Sequence, residues 1–155
     1  MLVNIQSYAY SHDEGRITVA SPTDQSQRYK RGWQRLIEVD AEAGERVLES
    51  LKDVAPDLGR YVVEFAYGEI YQRPVLDLRQ RQLVTISALT TLGGAEPQLE
   101  VHINAGLNVG LTAPEVVEAI LHCIPYTGFP RVLNAIFVAK RVFEERAVDP
   151  LTDQG

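Results

Sequence analysis

From Tyr29 onward the apolar positions recur at three- and four-residue intervals, the spacing of a helix with one buried face. YKRGWQRLIEVD sets Trp33, Leu36 and Ile37 on one side, and AEAGERVLESLKDV follows with Val47, Leu48 and Leu51. Pro56 suits the first turn of a third helix, PDLGRYVVEFAYGEIYQ, whose inner residues are expected to be Leu58, Val62, Phe65 and Ile70. Pro74 holds Arg73 extended and makes QRPVLD a connection. Asp77 is a good N-cap for LRQRQLVTISALTTLGG, which buries Leu83, Ile86, Leu89 and Thr90 and ends at Gly93 and Gly94. Glu96 and Pro97 open the next helix, which stops at Gly110.

TAPE, Thr112 to Glu115, is a capping box that starts PEVVEAILHCI. YTGFP interrupts the chain, and RVLNAIFVAKRVFEER closes it with Val132, Ile136 and Phe143 inward. No segment has strand periodicity, so the expected fold class is all-α, with about six or seven helices. Three stretches are expected: a polar N-terminal arm over 1–27, a helical domain over 28–147 and a flexible tail over 148–155.

A chain of 155 residues can bury one core without disulfides or a structural metal. Its net charge of -6 is spread diffusely and argues against sequence-independent nucleic-acid binding, which needs clustered Lys and Arg. The lone cysteine, Cys123, rules out an intrachain disulfide and a cysteine-based zinc site. MLVNIQSYAYSHDEG lacks the basic-then-apolar pattern of a signal peptide, and no run approaches the length of a membrane span. The expectation is a soluble, cytoplasmic protein with no nucleic-acid or membrane partner.

Few side chains are placed for chemistry. His102 lies one turn into its helix on the face of Leu99, Ile103 and Gly106. It is either a core histidine satisfied by a hydrogen bond or, beside the bulk missing at Gly106 and Gly110, a proton-transfer group at the edge of a cavity. His122 reads as a surface or interface residue, and His12 as a solvated one. No HxxxH or ExxH spacing supports a metal.

Arg73, Arg79 and Arg81 gather around a helix N-terminus, where the dipole disfavours cations. They form either salt bridges, with Glu64 or Glu69 as partners, or a subunit contact, or a basic wall for a substrate carboxylate. Glu69, at a helix end beside Tyr71, calls for a partner such as Arg73 or His102. Cys123 faces Val116 and Ile120 as a small core residue. Without GxSxG or a glycine-rich phosphate loop, hydrolase and nucleotide-binding functions are excluded.

Taken together, RPxLDxRxRxLVT, ALTTLG, LxVHxxAGLNVGLT and YTGFPxxLNA, in this order between about Glu64 and Phe143, resemble the carboxymuconolactone decarboxylase family. The resemblance implies the all-α fold of alkylhydroperoxidase D-like proteins and a homo-oligomer, trimer or hexamer. The redox branch of that superfamily carries CxxCxxxH. Its cysteine positions fall here at Ala95 and Gln98, and its preceding glutamate near Gln82, so the dithiol is absent.

The decarboxylase branch removes CO2 from a carboxylated unsaturated lactone, 4-carboxymuconolactone, in aromatic catabolism, without cofactor or metal. On this resemblance His102 transfers the proton and Glu69 orients its imidazole. Arg73 or Arg81 meets substrate charge, and Gln98 and Tyr126 are further substrate contacts. Val75 and Pro125 depart from the residues usual in the family and would reshape the pocket. The alternatives are an alkylhydroperoxidase D-like oxidoreductase and a non-catalytic small-molecule-binding oligomer.

Overall fold

The computed structural model describes residues 27–151. Residues 1–26 of the expected arm, His12 among them, and residues 152–155 of the tail lie outside the described residues. The described chain is helical: α1 (Gln27–Leu51), α2 (Pro56–Tyr61) running directly into a π-helical segment (Val62–Ile70), α3 (Leu78–Leu92), α4 (Glu96–Asn108), α5 (Ala113–Leu121), α6 (Ile124–Thr127) and α7 (Phe129–Arg146). This is the expected all-α fold. No helix among the described residues is long and apolar enough to cross a membrane.

The expected boundaries have visible causes. Asp77 accepts from the Gln80 backbone while the Gln80 side chain accepts from the Asp77 N–H, and Thr112 and Glu115 form the same reciprocal pair at α5. Asp40 interrupts α1 with an extended backbone, and its carboxylate accepts from the Ala43 N–H at 3.0 Å, capping the second half. Gly93, Gly110 and Gly128 take positive φ angles at the ends of α3, α4 and α6.

The main core joins α3, α4, α5 and α7 through Ile86, Leu99, Ile103, Leu111, Val116, Ile120, Val132, Val138, Val142 and Phe143. Cys123 is buried in it, its thiol donating to the Ala119 carbonyl at 3.4 Å. Gly106 packs closely rather than bordering a void, since a Cβ there would lie 2.9 Å from Leu111 and 3.5 Å from Ile86.

α1 forms a second layer with α2 and the π-helical segment and also rests on α4. Here the expected inner face is wrong. Leu58, Phe65 and Ile70 are exposed, and the buried residues are Gly59, Val63 and Gly68. A π-helix closes hydrogen bonds between residues five apart, so its wider turn rotates the buried line away from a 3.6-residue count. Gly68 and Gly32 let two backbones touch: a Cβ on Gly32 would lie 2.0 Å from the Val63 carbonyl oxygen. Backbone cannot yield as a side chain does, so Gly32→Ala is expected to destabilise the fold by about 3 kcal/mol. A urea denaturation midpoint equal to that of the unaltered protein would contradict this close crossing.

Candidate functional site

Gln82 is fully buried on α3, four residues before Ile86 and eight before Thr90 on the same inward line. A buried carboxamide without partners is costly, and this one has two. The carboxamide oxygen can only accept, so His102 Nδ1–H donates to Gln82 Oε1 at 2.9 Å and Nε2 keeps its lone pair. On the other side Gln82 Nε2 donates to the Tyr71 hydroxyl at 3.4 Å. Three residues from the π-segment end, α3 and α4 are thus strung together.

The Tyr71 ring has two close neighbours. Tyr67 packs against it at a 40° tilt with centroids 4.8 Å apart, and the Arg81 guanidinium stands 5.5 Å from its centroid. Burial, with Tyr71 and Asp40 adding to it, pushes the Tyr67 phenol well up, so that ring stays neutral. Burial also lowers the His102 pKa from its ordinary 6.5, only partly opposed by the charge on Asp40, so the imidazole is neutral at pH 7.

Arg81 is buried as well. Its Nη2 donates to the Arg73 carbonyl at 2.6 Å, its Nε is buried without a partner, and it makes no ion pair with any described residue. A buried cation in that state calls for an anion. A groove of about 890 Å³ has Tyr71, Arg73, Arg79, Arg35 and Asn108 among its walls; Arg81 and His102 lie behind that wall, Arg81 against Arg73 and Tyr71 and His102 behind Tyr71 and Gln82. Arg79 is engaged by Glu115 at 2.7 and 2.9 Å, and Arg35 by Glu38 at 2.6 Å. Arg73 makes no ion pair among the described residues, which leaves it for a ligand.

The residues expected at the site divide into two groups. His102, Arg81 and Arg73 come together around Tyr71 and Gln82. Glu69 pairs with Arg28 at 2.7 Å, tying the π-helical segment to α1, and the hydrogen bond to the imidazole expected of it is made by Gln82. Neither Glu64 nor Glu69 pairs with the arginine cluster, because Arg60 and Arg28 hold them. Gln98 is exposed in the first turn of α4, and Tyr126 is 75% exposed against His122 on the α5–α6 side; neither borders the groove.

Tyr71 and Gln82 are the residues that the sequence pattern did not assign. For Gln82 a signal was present: it continues the Ile86–Thr90 line inward, so it had to be a buried polar group in need of partners. For Tyr71 and for the groove walls Arg35 and Asn108 there was none, because only long-range packing joins them.

Comparison with known proteins accords with the motifs. The model of the carboxymuconolactone decarboxylase family matches residues 56–141. The 4-carboxymuconolactone decarboxylase of Acinetobacter baylyi is 40% identical over 125 residues, 80% of this chain and 92% of that protein. The nitrosuccinic acid decarboxylase of Metarhizium robertsii is 32% identical over 96 residues, covering 61% of this chain and 62% of that protein. An uncharacterised 15.0 kDa protein of Paracoccus denitrificans is 30% identical over 99 residues, 63% of this chain and 74% of that protein. The likeness therefore begins upstream of Glu64, where the motifs alone had started it, and takes in α2.

The neutral, buried imidazole has a consequence for stability. With a folded pKa below the unfolded value of 6.5, His102 binds protons more readily in the unfolded chain. Its contribution is complete above about pH 6.5 and is lost as the pH falls through that value toward the folded pKa. Between pH 7.5 and 5 the protein is expected to lose more denaturant resistance than its His102→Asn variant. Equal losses would show that His102 is not buried in the neutral form.

Proposed function

We propose that this chain, which belongs to the carboxymuconolactone decarboxylase family, is a cofactor-independent decarboxylase of a small carboxylated lactone, 4-carboxymuconolactone or a close relative, serving aromatic catabolism in the cytoplasm. The observation that carries this reading is Arg81, a buried guanidinium with no carboxylate partner among the described residues, set against the same Tyr71 whose hydroxyl joins Gln82 and the neutral imidazole of His102. An anionic substrate supplies the missing charge. The names of the relatives from Acinetobacter baylyi and Metarhizium robertsii, both decarboxylases, point the same way.

The chemistry asks little of the protein. When the carboxylate on the saturated ring carbon leaves as CO2, the bonding pair enters the conjugated system and collects on the lactone carbonyl oxygen as a dienolate. Electrophilic help belongs on charge that exists in the transition state, because an arginine clasping the departing carboxylate would favour the ground state. Arg81 suits the dienolate oxygen, and Arg73, on the groove wall, suits a carboxylate that stays.

The dienolate carbon then takes a proton. His102 Nε2 is the group for this step. It is unprotonated in the free protein, and an anion arriving nearby favours the imidazolium and so brings the proton onto it. Gln82 holds the ring from the Nδ1 side throughout. Gln98 and Tyr126 have no part in this scheme as the single chain is folded.

The same reading includes assembly with copies of the chain, as a trimer or hexamer. Phe129, Leu133 and Phe137 stand four residues apart along α7 and are all exposed in the single chain, as is Phe65. A contiguous apolar face of this kind is rarely left to water.

Incubated with 4-carboxymuconolactone, the protein is expected to release CO2. His102→Ala is expected to slow turnover about 10³-fold by removing the proton donor. Arg81→Gln is expected to lower kcat/KM about 30-fold, the loss of a charge-assisted hydrogen bond worth about 2 kcal/mol. No CO2 from the folded protein, or an unimpaired His102→Ala variant, would overturn the reading.

A further inference from the structure

Tyr71 is the polar residue that belongs both to the groove wall and to the buried chain ending at His102. Its hydroxyl has one proton to give and lone pairs to offer. Gln82 Nε2–H occupies a lone pair from the inside, and because Gln82 Oε1 is engaged by His102 Nδ1–H, the carboxamide cannot turn to accept from the tyrosine. The Tyr71 proton therefore has no acceptor on that side. The ring that carries it is in contact with Tyr67 and with the Arg81 guanidinium, and among its remaining surroundings is the groove that Tyr71 lines.

We propose that Tyr71 is a ligand-binding residue whose hydroxyl donates to a carboxylate or enolate oxygen of the groove's occupant, and that Gln82 is the positioning residue that aims this proton outward and couples ligand binding to the His102 imidazole. The proposal deepens the decarboxylase reading, resting on it for the anionic nature of the occupant. It adds a third donor beside Arg73 and Arg81 and gives the burial of Gln82 a function. When Tyr71 donates to an anion, its oxygen becomes a better acceptor, Gln82 is polarised, and Oε1 pulls harder on the Nδ1 proton. Occupancy of the groove thereby favours one tautomer of the imidazole and leaves Nε2 more basic for the proton it must carry.

The test uses the full chain labelled with ¹⁵N-histidine and glutarate as an unreactive dicarboxylate probe, with His102 resonances assigned from a His102→Asn sample. In the unaltered protein, His102 is expected in the Nδ1–H tautomer, and glutarate is expected to shift its ring nitrogens as it binds. Tyr71→Phe is expected to bind glutarate about tenfold more weakly and to lose the His102 response.

Gln82→Glu offers a second view without loss of volume. A carboxylate there accepts from both His102 and Tyr71, drawing the tyrosine proton inward, so glutarate binding weakens again. Because both substitutions remove the same donated hydrogen bond, their effects are expected not to add in the double variant. Three results would each overturn the proposal: a His102 signal unmoved by glutarate in the unaltered protein, a Tyr71→Phe variant that responds like it, or fully additive losses. The decarboxylase reading is judged separately, by CO2 release. A protein with the glutarate response but no CO2 release keeps the Tyr71 assignment and loses that reaction.

Discussion

A primary amide taken wholly out of water must find hydrogen-bond partners or cost the fold about 1–3 kcal/mol for each group left unmet. Gln82 is such an amide, fully buried on the inward line of α3 with Ile86 and Thr90. Its carbonyl and its N–H₂ face different neighbours, so it fixes two of them at once: the imidazole of α4 and the phenol at the end of the π-helical segment. The tautomer of His102, the direction of the Tyr71 proton and the close approach of the two layers at this point all follow from satisfying one side chain. Burial then does to His102 what it does to any imidazole, disfavouring the charged form until an anion arrives.

The outer layer supplies the rest of the site. α1 can lie against the π-helical segment because glycine stands at both points of contact, Gly32 and Gly68. Its break at Asp40 brings a negative charge to bear on His102 and Tyr67, and Asn108 at the end of α4 donates to the Val39 carbonyl beside the break. The wide turns of the π-helical segment carry Tyr71 to the mouth of the groove. Glu69 is spent on Arg28 to hold this layer together, and Arg79 on Glu115 to join the starts of α3 and α5. Of the arginines at the site, Arg81 and Arg73 have no ion pair among the described residues, which is why the site reads as a receiver of anions.

Local signals made most of this fold legible in the sequence. The N-cap at Asp77, the capping box at Thr112, the glycines that end helices and the 3.6-residue periods all depend on residues a few positions apart, and they marked the helices from Asp77 onward. The stretch from Pro56 to Ile70 was legible as helix but not in its facing, because nothing in the apolar pattern signals a turn of π width. His102 and the arginine cluster stood out by residue type and place.

Their partners did not stand out so clearly. Glu69 was the carboxylate nearest in expectation, yet Arg28, more than forty residues away in sequence, claims it. Gln82 looked like a departure from a related branch, when its place on the inward line already required it to be bonded. Pairings across elements, such as Gln82 with His102 and Tyr71, arise only when the layers pack.

The central claim is that a proton held at His102 reaches the dienolate carbon while the substrate is still enclosed. Turnover of 4-carboxymuconolactone in D₂O, with the product examined by NMR, tests it most directly. The account predicts one deuterium per product molecule, delivered to a single face of the carbon that accepts the proton. Deuterium divided equally between the two faces would mean that solvent, not an oriented imidazole, completes the reaction, and would contradict it.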